Sequence, residues 1–220
     1  MNKLNSFWGR ISAHIQTLFV DHEILRKLYR NFYRIDSQAY RSNHPSARFI
    51  RKLKNKYGIK TIVSLRKPDK SGQYLLEKEA CDKYGIKLIN HPMSSCKMPK
   101  PERILEANEL FDTIQYPILI HCKSGADRAG LMSVLYRHFV LNEPIAIARK
   151  ELSIKYGHFR WADTGKLDYF FDCYERFFES NPDISFTQWV EGHYDRDKLD
   201  AEFHSAGWAN LIVHKILHRE

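Results

Sequence analysis

Between residues 60 and 121, short apolar runs alternate with longer segments of helical period, and that rhythm predicts the fold class. Lys60 to Leu65, Lys87 to His91 and Pro117 to His121 are brief aliphatic runs, rich in β-branched residues, of the kind that fill strands buried on both faces. Gly72 to Lys83 and Glu102 to Thr113, set between them, repeat their apolar positions at helical spacing. Strand and helix alternating in this order build right-handed crossovers onto a short, mostly parallel central sheet flanked by helices, an α/β fold.

The flanks read differently. From Asn31 to Arg41 the pattern alternates around Asp36-Ser37 and predicts a short pair of strands. After His121 the period is helical throughout, with helices predicted at about 127–141, 144–155, 164–179, 184–192 and 197–218, punctuated by Pro144, Gly157, Gly165 and Pro182. Near the start, Trp8, Ile11, Ile15, Leu18, Phe19, Ile24, Leu25 and Leu28 form a helical stripe interrupted at Asp21-His22. This is one broken helix or two. It reads either as packing on the domain or, with Lys3, Arg10, Arg26, Lys27 and Arg30, as a helix that lies on a membrane surface or a partner. With no repeat and no linker-like stretch, the expected organisation is an N-terminal helical extension over 1–30, a core domain over 31–180, and a helical layer over 181–220 packed on that domain.

Composition narrows the classes. At 220 residues, 43% hydrophobic and 28% charged, the chain has the make-up of a globular protein rather than a disordered or fibrous one. No run approaches the roughly 18 apolar residues of a membrane span. Lys plus Arg exceed Asp plus Glu by 35 to 26, and the resulting +9 suits an anionic partner or serves solubility alone. A nucleic acid is not the expected partner, because no helix-turn-helix, ribonucleoprotein or zinc motif accompanies the charge. Cys81, Cys96, Cys122 and Cys173 stand far apart with no Cys-x-x-Cys pair, so neither a disulfide framework nor a structural metal is expected, and a reducing cytoplasmic setting is. No cofactor is expected either.

Chemistry concentrates in residues 116 to 131. A buried-type strand from Tyr116 ends at His121, a small-residue loop Cys122-Lys123-Ser124-Gly125-Ala126 follows, and a helix opens at Asp127-Arg128-Ala129-Gly130. In open α/β sheets ligands gather beyond the carboxyl ends of strands, and a helix N-terminus presents free amides and a positive dipole end to an anion. Cys122 sits where such surroundings favour a thiolate. Arg128 brings a planar guanidinium that can grip two phosphate oxygens, Gly125 allows close backbone approach, and Lys123 and Ser124 add charge and a hydroxyl at the rim. Nucleophile, amide cradle and clamp within one short run suit in-line attack of sulfur on phosphorus.

This His121-Cys122-x5-Arg128 pattern resembles the signature of the cysteine-based protein tyrosine and dual-specificity phosphatase superfamily, most of all its compact bacterial dual-specificity-like members. Tyr40-Arg41-Ser42 and Ser64-Leu65-Arg66 extend the resemblance, which covers roughly residues 32 to 175. It implies the protein tyrosine phosphatase-like fold with extra terminal helices, Cys122 as nucleophile through a phosphocysteine, Arg128 as clamp, and the amides of 123 to 128, Ala126 among them, as the phosphate cradle. His121 would orient the loop, and Arg41, Arg66 and Asp69 would line the pocket beside it. Phosphotyrosine or a phosphorylated lipid or inositol headgroup would be the substrate. One departure is Ala129, where the family usually carries a hydroxyl that helps the cysteine leave; it keeps open a weakly active, phosphate-binding pseudophosphatase.

The general acid is the open role. The loop from Pro92 to Pro101 contains no carboxylate, and Glu102 and Glu106 lie on the helix after it. Asp127, inside the signature as in myotubularin-type lipid phosphatases, and Asp69, after Arg66-Lys67-Pro68, are the two candidates, with a salt bridge or turn role for both, and neither as the acid, the third reading. His158 is expected to be a satisfied structural histidine, and Phe159-Arg160-Trp161 and Tyr169-Phe170-Phe171 to be packing clusters.

Overall fold

The computed structural model describes residues 30–69 and 71–203, so the N-terminal stripe and the far end of the 197–218 helix lie outside the described residues. Five strands, β1 (Tyr33–Arg34), β2 (Ala39–Ser42), β3 (Thr61–Ser64), β4 (Lys87–Asn90) and β5 (Ile118–His121), form one sheet in the order β1-β2-β5-β3-β4. β1 runs antiparallel to β2, and the other pairings are parallel, as the strand and helix alternation predicts. β5 takes the centre because Ile118, Leu119, Ile120 and His121 are all buried, which only a strand covered on both faces requires.

The sheet's side chains alternate between two cores. Ile62 and Leu119 face α1 (Ala47–Tyr57) and α2 (Gly72–Tyr84), where Phe49, Ile50, Leu53, Ala80 and Cys81 pack. Ala39, Val63, Ile118 and Ile120 face the larger core built by α3 (Pro101–Thr113), α4 (Asp127–Phe139), α5 (Ile145–Ala148), α6 (Lys166–Ser180) and α7 (Phe186–Gly192). Phe170, Phe171, Phe186, Trp189 and Val190 join that core. The helices start where their caps dictate. The Ser46 and Ser71 side chains accept the amides of Phe49 and Tyr74, and Gly58 and Gly85 close α1 and α2 in the left-handed region.

One predicted helix is broken. In place of a continuous 144–155 segment, α5 gives way to 3-10 turns at Arg149–Glu151 and Ile154–Tyr156. The cause is a long-range partner: Arg41 takes both the Glu151 carbonyl and its carboxylate at 2.7 Å, which diverts that carbonyl from a helical bond.

The register sets the site. Ser42, His121 and Ser64 are direct neighbours across β2, β5 and β3, and Asn90 follows on β4. The chain segments that leave these four residues therefore emerge side by side at the carboxyl edge of the sheet.

Candidate active site

The strand β5 delivers Cys122 to that edge, and residues 122–126 turn back at once into the N-terminus of α4. Inside the turn the Gly125 amide donates to Cys122 Sγ at 3.2 Å. Gly125 is required here on two counts: its φ is 78°, and a Cβ would stand 2.5 Å from the Asn43 nitrogen and 2.6 Å from the Ser42 carbonyl carbon. Ser42 and Asn43 thus form a wall against which the loop closes. Ala126 caps α4 without a side-chain bond, so the first-turn amides keep no side-chain acceptor from the cap. Lys123 and Ser124 are exposed at the rim, Gly125 and Ala126 are buried, and Arg128 on the first turn reaches the Leu65 carbonyl at 3.4 Å. Cys122, the loop over 123–126 and Arg128 thus lie together at the junction of β5 and α4.

Arg41 has a different place from the expected pocket wall. Its guanidinium is wholly buried beneath the loop, donating to the Gly125 and Ala126 carbonyls at 2.8 and 2.9 Å and to Glu151, with its Cζ 3.9 Å from the Tyr156 ring centre. It holds the loop from below, where a substrate does not reach. Asn31 adds a second tie, its amide nitrogen donating to both the Ser124 and Tyr156 carbonyls at 2.9 Å.

Behind the cysteine lies a buried acid–base group that sequence reading passed over. Glu77, on α2, pairs with His121 Nε2 at 2.7 Å and with His44 Nδ1 at 3.8 Å, while His121 Nδ1 faces the Cys122 carbonyl at 3.3 Å. Burial opposes the Glu77 charge, but His121, His44 and Arg66 outweigh it and hold the carboxyl below its usual range. His44, Glu77 and His121 are close enough to share a metal ion. The Arg66 guanidinium, 3.4 Å from His44 Nδ1, puts a cation where the ion's neighbour would be, so the group reads as an ion-pair network that fixes His121. Arg66 is also bonded to Gln73.

Asp127 and Asp69 separate clearly. Asp69 is exposed and its carboxylate accepts the Ser71 amide at 2.9 Å, a turn contact at the start of α2. Asp127 accepts from His158 Nδ1 at 2.8 Å, and His158 Nε2 donates to Asp168 at 2.7 Å. Both ring nitrogens of this buried histidine face carboxylate oxygens, so both carry protons. Burial opposes that charge, but the bonds to Asp127 and Asp168 prevail and push His158 up to about 9. His158 is satisfied, as expected, yet it is satisfied by the signature loop itself.

That pairing makes a stability prediction. Because the folded value of about 9 lies above 6.5, the stabilisation is complete below about pH 6.5 and is lost as pH rises through about 9. It amounts to about 3 kcal/mol. Thermal denaturation of wild type and His158→Gln should therefore differ most in mild acid and converge above about pH 9. A gap that stays constant across this range would show that the pair carries no such charge.

Ala129 is fully buried and offers no hydroxyl to the sulfur. Glu106, from the helix after the acid-free loop, is bonded to Arg103 at 2.6 Å.

A sequence model of the family described as DSP-PTPase phosphatase fused to NAD+ kinase matches residues 36–163. The inositol diphosphatase DSP4 of Arabidopsis thaliana is 33% identical over 110 residues, which are 46% of this chain and 52% of that protein. The dual specificity protein phosphatase TpbA of Pseudomonas aeruginosa is 29% identical over 112 residues, 49% of this chain and 46% of that protein. The chain thus spans about half the length of each relative. In three dimensions it resembles the crystal structure of P. aeruginosa TpbA with a TM-score of 0.54 at 22% identity, over 79% of this chain and 90% of that one. The core catalytic domain of the PP-IP phosphatase SIW14 from S. cerevisiae aligns with a TM-score of 0.52 at 22% identity, over 69% and 93% respectively. These likenesses place the fold among protein tyrosine phosphatase-like structures.

Proposed function

This chain belongs to the DSP-PTPase phosphatase family, and from that premise we propose that it hydrolyses phosphomonoesters through a phosphocysteine at Cys122. The observation that carries the proposal is the loop itself: a sulfur at the end of β5, touched by the Gly125 amide at 3.2 Å, at the mouth of a helix whose second residue is Arg128. Sulfur attacks phosphorus, the bond from phosphorus to the leaving oxygen breaks, and Arg128 with the loop amides holds the oxygens of the phosphoryl group in flight. Water then cleaves the phosphorus–sulfur bond, freeing inorganic phosphate and the cysteine.

The proton for the leaving oxygen comes from the Asp127–His158 pair. Asp127 stands one residue before Arg128, and the pair holds a proton across 2.8 Å that is released as the leaving oxygen gains charge. An acid matters most when the leaving group is poor. Asp127→Asn should therefore lower the rate on an alkyl phosphate about a hundredfold more than on p-nitrophenyl phosphate, whose phenolate departs almost unaided. Equal losses on both substrates would remove Asp127 from the acid role.

The substrate is a phosphorylated headgroup or a phosphotyrosine, and exposed Lys123 and Lys67 at the same edge support an anionic molecule with more than one phosphate. The absence of a disulfide among the four cysteines supports a cytoplasmic setting. A second reading has its own observation. Buried Ala129 leaves the sulfur without a hydroxyl to assist its departure, which suits a slow or phosphate-binding member. Steady turnover of p-nitrophenyl phosphate beyond one equivalent excludes the pure binder.

A further inference from the structure

Among the described residues, five large hydrophobic side chains are exposed, and four of them lie between residues 147 and 161: Ile147 at 45%, Ile154 at 63%, Phe159 at 42% and Trp161 at 75%. The sequence predicts packing for Phe159-Arg160-Trp161, and for Tyr169-Phe170-Phe171 that expectation holds, since Phe170 and Phe171 are fully buried. For Phe159 and Trp161 it does not. Their rings pair with each other at 5.3 Å and stand out from the surface. Exposed Lys150 and Lys155, and Arg160 paired with Asp172 at 2.6 Å, are interleaved with these apolar groups.

The segment is bound to the catalytic loop at three points. His158 joins Asp127 at 2.8 Å, Asn31 bridges the Tyr156 and Ser124 carbonyls, and Arg41 links Glu151 to the Gly125 and Ala126 carbonyls. Phe159 and Trp161 therefore project from a support that cannot move independently of the phosphate site. Leaving a tryptophan and part of a phenylalanine in water forgoes the gain of burying them, which calls for a partner that covers them.

We propose that the loop bearing Phe159 and Trp161 docks the chain on an anionic bilayer surface, so that the signature loop meets a phosphorylated headgroup there. Three features select a bilayer over a protein groove. Tryptophan and phenylalanine with interspersed cations settle at the boundary of headgroups and acyl chains. The chain's net charge of +9 complements anionic lipid. The exposure of Trp161 fits a side chain that inserts into a partner rather than one that walls a phosphotyrosine cleft. The headgroup half of the proposal rests on the phosphatase reading. The docking half does not.

The test is sedimentation of the full chain with phosphatidylcholine vesicles and with vesicles that also contain phosphatidylserine. The wild type should pellet with the anionic vesicles, and the double variant Phe159→Ser, Trp161→Ser should bind about tenfold less while keeping wild-type turnover of p-nitrophenyl phosphate. A wild type that stays in the supernatant overturns the proposal, as does a double variant that pellets fully, which would place the contact elsewhere in the chain. So does light scattering that finds a wild-type dimer and a monomeric variant, which would make this face the seat of a second copy. Selective loss of activity on a soluble phosphotyrosine peptide with unchanged pelleting would assign the pair to peptide recognition and overturn it too. Binding is read without turnover, so failure of the phosphatase reading and failure of docking give separate signals.

Discussion

Replacing Cys122 with serine is expected to abolish turnover, with a loss of about 10⁵-fold or more, while inorganic phosphate and vanadate still bind within a few-fold of wild type. The two halves of this expectation come from different atoms. In the proposed reaction the sulfur makes the bond to phosphorus, and a hydroxyl at the same place is far less nucleophilic near neutral pH. The anion would be held by the amides of the loop and by Arg128, which the substitution leaves alone. The sulfur accepts the Gly125 amide at 3.2 Å, and an oxygen in its place can accept that amide too. Initial rates on p-nitrophenyl phosphate and calorimetric titration with phosphate read the two quantities. A variant within about tenfold of the wild-type rate would take the cysteine out of the chemistry.

Arg128→Lys is expected to lower kcat about a thousandfold with a much smaller change in KM. A guanidinium offers two parallel N–H bonds to a planar phosphoryl group, and an ammonium offers a single point of charge. The fork therefore tightens on the transition state more than on the bound ester. Arg128 is only half-buried, and its Leu65 contact at 3.4 Å is long, so the side chain is not committed to the scaffold and its loss should not unfold the loop. A variant with intact kcat and a raised KM would show that Arg128 holds ester and transition state equally.

Arg41 marks the difference between a signature residue and a support. Both arginines are legible as candidates beside the cysteine, yet one lies at the helix N-terminus and the other beneath the loop, in contact with residues 84, 85 and 110 positions away. Local patterns carry no record of such distances. The same reason hid Glu77 behind His121, and Asp168 behind His158. A glutamate or an aspartate inside a helical period looks like a solvated face until the helix is docked. The strands and the loop were legible because their information is local. Ile62-Val63 and Ile118-Leu119-Ile120 are continuous apolar runs that only a sheet covered on both sides accommodates, and residues 121 to 128 bring the proposed nucleophile and clamp together along one stretch of chain. The helix predicted over 144–155 failed where Arg41 captured the Glu151 carbonyl, a tertiary contact overriding local period. Phe159 and Trp161 misled in the opposite direction, since aromatic residues usually pack and these two do not.

A phosphocysteine at Cys122 is detected most directly by a rapid acid quench during turnover of p-nitrophenyl phosphate, followed by mass spectrometry of the peptide that contains Cys122. One phosphoryl group is expected on Cys122, formed within the first turnover, accumulating because Ala129 gives the departing sulfur no hydroxyl, and missing from Cys122→Ser. Steady hydrolysis with Cys122 unmodified at every quench time, or a phosphoryl group found on His121 instead, would contradict it.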